Sequence, residues 1–183
     1  MKNKRFYILL IILSLVSLYF YYAKSNKFVK TYTGIKCRIN DEIYEEKVLV
    51  KFEGKYNKKP FSNDIFKDNL LINDTVLNDI ELEFHYNHQA SIKYDNNKGD
   101  FLEHYGWIAM DKDKDYLTIL LPEIKEDNAD TSNHWQYKNG LIISAPANTK
   151  KEAIENANKL LYLKQLTPPT YFVEVRGVHR VLK

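Results

Sequence analysis

The sequence predicts an α+β chain: a mainly antiparallel β-sheet domain carrying one amphipathic helix at about residues 149–165, preceded by an N-terminal transmembrane helix. Three observations carry this reading. Residues 6–23 hold no charge, and only Ser14 and Ser17 interrupt their apolar character before the aromatic end. From Ile43 onward apolar residues recur with a period of two, the signature of half-buried strands. One stretch, following Thr149, switches to helical spacing.

Residues 6–23, as a helix rising about 1.5 Å per residue, reach roughly 27 Å, close to the hydrocarbon thickness of a bilayer. The run is longer than the apolar core of a cleavable signal peptide. Tyr19, Phe20, Tyr21 and Tyr22 suit the interface belt of a membrane helix. Ala23-Lys24-Ser25 nevertheless offers small residues for cleavage after Ser25, which would release a secreted form. Lys2, Lys4 and Arg5 precede the run, while Lys24, Lys27 and Lys30 follow it, so the positive-inside signal is nearly balanced. Translocating the leading cluster with the terminal amine is the costlier choice. The expectation is a single-pass cell-membrane protein with residues 1–5 as a cytoplasmic basic tail, 24–34 as a tether and 35–183 as one extracytoplasmic domain.

All 24 acidic residues follow residue 24, together with 23 of the 27 basic ones, so the body of the chain carries about −1 although the whole is +3. A nucleic-acid binder concentrates basic residues on one face; the basicity here belongs to the anchor, and nucleic acid is excluded as a partner. The single Cys37 allows no internal disulfide, and a small apolar filler in a strand is its simplest role.

Along the body, Val48, Val50 and Phe52 alternate with Lys47, Leu49, Lys51 and Glu53. Leu70–Ile72 is a second apolar run, closed by the turn residues Asn73-Asp74. Ile80, Leu82, Phe84 and Tyr86 take one face of a strand, and Glu81, Glu83 and His85 the other. Gln89–Tyr94 is expected to return antiparallel to it. Tyr105–Met110 and Tyr116–Leu121 form a pair around the turn 111–115, and the second, apolar on both faces, reads as a central strand. Glu123–Asn133 reads as a polar loop. Asn139-Gly140 within Trp135–Ile143 is a strong hairpin signal. Thr149-Lys-Lys-Glu152 is a capping box, and Ala153, Ile154, Ala157, Leu160 and Leu161 form the stripe that a helix buries. Pro168-Pro169 ends it, and Tyr171–Val175 reads as extended. A sandwich, a partly open barrel and a sheet backed by a helix all satisfy this pattern, the last being favoured because the helix needs a face to cover.

Five candidates for chemistry stand out. Glu81 and Glu83 lie about 7 Å apart by the strand repeat and share a face with His85, a spacing open to acid–base hydrolysis. Any exposed strand face also looks like this. Asp111, Asp113 and Asp115 copy the first three ligands of a calcium loop, but Tyr116 replaces its glycine and Pro122 its last carboxylate. His85 and His88 have a metal-like spacing that a strand would split between two faces. Ser144 lacks the glycines of a nucleophile elbow, and Cys37 has no histidine nearby in sequence. No cofactor is expected, since the six glycines are scattered singly and build no phosphate loop. Fourteen tyrosines, with Trp107 and Trp135 beside turns, suit either carbohydrate and protein contacts or half-buried strand faces.

The functional expectation is therefore a membrane-anchored extracytoplasmic binding module of a bacterial-type envelope, more a binder than an enzyme, held to lipid by residues 6–23 and meeting a protein or envelope polymer. The alternatives are an envelope hydrolase using Glu81 and Glu83, and a small accessory subunit whose helix packs on a larger membrane complex through Ser14 and Ser17.

Overall fold

A computed structural model describes residues 2–22, 25–41, 43–59, 62–85, 88–95, 102–124, 133–135 and 139–162. Tyr171–Val175 and the Pro168-Pro169 stop lie outside the described residues.

Helix α1 runs Lys2–Tyr22. Its described side chains from Phe6 to Ser17 are exposed, Leu9 at 63%. The side chains of Leu18, Phe20, Tyr21 and Tyr22, and all of Ala23, lie outside the described set. Among the described residues no helix is long and apolar enough to cross a membrane.

Among the described residues the body is an antiparallel sheet of eight strands with α2 on one face. In chain order the strands are β1 Asn26–Arg38, β2 Glu45–Asn57, β3 Asp64–Ile72, β4 Thr75–Phe84, β5 Gln89–Tyr94, β6 Glu103–Met110, β7 Leu117–Leu121 and β10 Leu141–Ala145. Two short strands, β8 Glu123–Ile124 and β9 Asn133–His134, pair with each other apart from it. Spatial order is β4-β3-β2-β1-β10-β7-β6-β5. Two meanders are thus joined where β10 inserts between β1 and β7.

The outermost strands, β4 and β5, are consecutive in the chain. They meet at a tight turn in which the His88 N–H donates to the His85 carbonyl (2.7 Å) and the His85 N–H to the Gln89 carbonyl (3.1 Å). The sheet therefore curls until its two edges lie side by side, nearly a barrel. Strand twist makes such curling natural for eight strands. Gln89–Tyr94 does return beside Ile80–Phe84, but among the described residues the continuous ladders are those of β4 with β3 and of β5 with β6.

The alternation read from the sequence decides what fills the interior. Phe52, Phe66, Leu70, Ile80, Leu82, Ile92, Ile108 and Ile119 all point into it and are essentially fully buried. Phe52 stands edge-on to Phe66 at 5.2 Å, to Phe28 at 5.8 Å and to Tyr32 at 6.0 Å between ring centroids. Edge-to-face contact sets the positive ring edge against the negative face of its neighbour.

Outside the curl, α2 (Lys150–Tyr162) covers a second core. Ala153, Ala157, Leu160 and Leu161 bury against Ile35, Cys37, Ile142 and Leu120. Two alanines let the helix approach the sheet closely. Its start follows the capping logic with one shift: the Glu152 N–H donates to Thr149 Oγ1 (3.3 Å), while the Glu152 carboxylate accepts from the Asn148 N–H (2.7 Å), one residue before the threonine.

Three expectations are corrected. The tether read over 24–34 gives way to β1 from Asn26, which pairs with β2 along twelve positions, so the domain begins at Asn26 and not at residue 35. Alternation was masked there because Lys30 occupies an inward position between Phe28 and Tyr32. Asn139-Gly140 precedes β10, whose partners among the described residues, β1 and β7, lie far away in sequence. Glu123–Asn133 is not wholly a loop, since both its ends are paired.

Candidate functional site

Glu81, Glu83 and His85 do share the exposed outer side of β4's end, as alternation requires. Lys67, directly opposite on β3, holds Glu81 at 2.7 Å. The Asn63 amide donates to Glu83 Oε1 (2.9 Å) and lies 3.1 Å from His85 Nδ1. Glu81 is thus tied to β3, and Glu83 and His85 are bridged by Asn63, all on the solvated side.

The 111–116 turn closes one end of the curl. Asp111 turns inward on its own loop, accepting from the Tyr116 N–H at 2.8 Å. Asp115 pairs with Lys30 at 2.8 Å, and Asp113 is exposed. Lys114 has a positive φ of 61°, a reversal that presents its carbonyl to Lys30 Nζ (2.6 Å) and Tyr32 Oη (2.5 Å). Its ammonium lies 4.0 Å from the Tyr56 ring centroid. Burial, reinforced by Asp111 and Asp115, pushes the Tyr32 phenol well above its usual range. Burial, then the Lys58 charge, pulls the Lys114 ammonium down. Of the three aspartates that copied a calcium loop, Asp111 is therefore spent on the turn and Asp115 on Lys30, while Asp113 faces solvent. Among the described residues no three His, Cys, Asp or Glu side chains converge to hold a metal, His85 and His88 included.

Ser144 and Cys37 are core residues. The Ser144 and Thr118 hydroxyls bond each other at 3.0 Å, both fully buried. Cys37 is fully buried on β1 beneath α2, and desolvation pushes its thiol up to about 11. A thiolate is the reactive form, so we expect iodoacetamide at pH 8 to leave Cys37 unmodified in the folded protein and to label it stoichiometrically in urea. Rapid labelling without denaturant would show that α2 does not cover it.

Trp107 and Trp135 pack partly buried against the α2 core, and Trp135 Nε1 donates to the Leu141 carbonyl at 3.0 Å. Trp107 lies within β6 and not beside a turn. These aromatic residues serve the sheet face. At the opposite end of β1, Arg38 makes a forked pair with Glu123 and donates to the Asn139 carbonyl at 2.9 Å. Hydrogen bonding from Arg38 holds the Glu123 carboxyl below its usual range.

A shallow open hollow of about 700 Å³ lies on the outer side of β1, β2 and β3. Ser25, Lys27, Val29, Glu53, Gly54, Lys55, Asp68 and Asn69 line it. Gly54 is required here: a Cβ would meet the Lys67 carbonyl oxygen at 2.1 Å and Asp68 Cβ at 2.5 Å. Asp68 takes a positive φ of 121° where the pairing of β3 with β4 shifts register. No sequence signal marks this place, because its residues come together only through strand pairing. Comparison with family models, with curated proteins and with solved structures finds nothing that matches this chain.

Proposed function

We propose that the chain is a membrane-tethered binding module. Residues 6–23 span the bilayer with the N-terminus in the cytoplasm. The β domain stands on the outer side of a bacterial-type envelope and engages a protein or an envelope polymer. The observation that carries this reading is α1 itself: from Phe6 to Ser17 its described side chains are exposed and, apart from Tyr7, Ser14 and Ser17, wholly apolar. A helix apolar all round belongs in a lipid or protein interior and not in water. Eleven Phe, Ile, Leu and Val residues lie between Phe6 and Tyr22, worth about −3 to −7 kcal/mol on an insertion scale. The curled sheet fills its interior with its own side chains, which directs binding to the outer strands and loops.

Protease added to intact cells stripped of their wall tests the topology. The domain should be digested while cytoplasmic proteins survive. Resistance that disappears only on lysis would overturn the proposal, and an intact mass beginning near Asn26 would replace the anchor by a secreted form.

A further inference from the structure

Strand pairing assembles a basic row that the sequence scatters. Lys27 on β1 stands directly opposite Lys55 on β2, and Lys55 directly opposite Lys67 on β3. Facing residues on neighbouring strands have Cβ atoms about 4.5–5.5 Å apart, and like charges so placed destabilise a sheet. Lys67 is neutralised by Glu81 at 2.7 Å. Lys27 and Lys55 are exposed and in no salt bridge among the described residues. Lys58 and Lys59, also exposed, follow the end of β2, where the Lys59 N–H donates to Asp64 Oδ1 at 3.2 Å.

The row lies at the first residues of β1. Four peptide steps separate Tyr22 from Asn26, at most about 14 Å of chain. The headgroup layer of a bilayer is itself roughly 5–8 Å deep on each side. A row so close to the end of the anchor meets that layer, where an anionic surface attracts each lysine by about 1 kcal/mol. The hollow beside the row is floored by bare Gly54 and edged by exposed Val29. Its carboxylates, Glu53 and Asp68, lie one or two positions farther along the strands from the anchor, and Glu53 is already paired with Lys51.

We propose that this face docks on the anionic phosphate headgroups of the membrane that holds α1, with Lys27 and Lys55 as the principal contacts. The inference rests on the tethered reading. Docking would offset the repulsion within the row and hold the sheet against the bilayer, leaving the far end, beyond Arg38 and around Asn73-Asp74, for a partner.

The test uses the full chain in lipid nanodiscs of phosphatidylcholine, alone or mixed with phosphatidylglycerol or with phosphatidylethanolamine. Brief acylation by a water-soluble amine reagent is read by peptide mass spectrometry. Labelling of Lys27 and Lys55 should fall about fivefold in the phosphatidylglycerol discs, the equivalent of ~1 kcal/mol per lysine, and recover in high salt. Lys47 and Lys151, exposed and away from the row, should not change. The pair Lys27→Glu with Lys55→Glu should remove the protection of Lys58 and Lys59. Equal labelling in all three lipids would overturn this inference while leaving the anchor intact, as would protection by phosphatidylethanolamine equal to that by phosphatidylglycerol. Failure of the chain to enter discs at all would instead overturn the tethered reading beneath it.

Discussion

Leu10→Lys combined with Leu13→Lys should release the protein from the membrane. Both leucines sit near the middle of the apolar run, and their side chains are exposed on α1. A lysine at the centre of a spanning helix costs about 2.5–3.5 kcal/mol, and each lost leucine removes a further few tenths. Two such changes shift insertion by roughly 6–8 kcal/mol, which equals or exceeds everything the eleven apolar residues supply. Alkaline carbonate extraction reads the result: the wild-type chain stays in the pellet, and the double variant moves to the supernatant. The urea midpoint of the domain should not move, because no described residue of α1 belongs to either buried core. Retention of the variant in the pellet, or extraction of the wild type, would sink the anchor.

Phe52→Ala should be the most damaging single change inside the domain. Phe52 is 1% exposed and touches three other aromatic rings, so truncation leaves a void that rigid neighbouring strands cannot close. Large-to-small changes of this kind cost about 3–5 kcal/mol, against a total of roughly 5–15 kcal/mol for a domain. Leu49→Ala is the control, since Leu49 lies on the same strand with its side chain outward. Its effect should stay within about 0.5 kcal/mol. The separation between the two urea midpoints measures how tightly the curl is filled. Equal midpoints would mean that the aromatic cluster is not the centre of the fold.

Element types were largely legible in the residues. The period of two in Lys47–Glu53 is the alternation of β2, and the faces assigned to Ile80, Leu82 and Phe84 are those they occupy. Alternation is a local property of the backbone, so a local pattern reports it. The Thr149 cap and the alanine and leucine stripe announced α2 for the same reason. Partners were not legible. Asn139-Gly140 has the chemistry of a hairpin, yet its strand is claimed by β1, about a hundred residues earlier, and by β7. The first strand itself was hidden, because Lys30 breaks the apolar alternation while pointing to the closed end of the curl, where the Lys114 carbonyl and Asp115 receive its ammonium.

Candidate sites divide in the same way. The exposure of Glu81, Glu83 and His85 could be read from their strand, whereas the use of Asp115 to hold Lys30 needed two segments 85 residues apart. The Lys27–Lys55–Lys67 row is wholly a product of register. What the sequence by itself determined is which faces are apolar and where one helix begins, since these depend on neighbours a few residues away. What only the tertiary structure decided is which strands pair, how the sheet curls until β4 meets β5, and which charges then face one another. Those are set by packing between residues that share no sequence neighbourhood, where the free energy of burying one common interior outweighs the signal of any single turn.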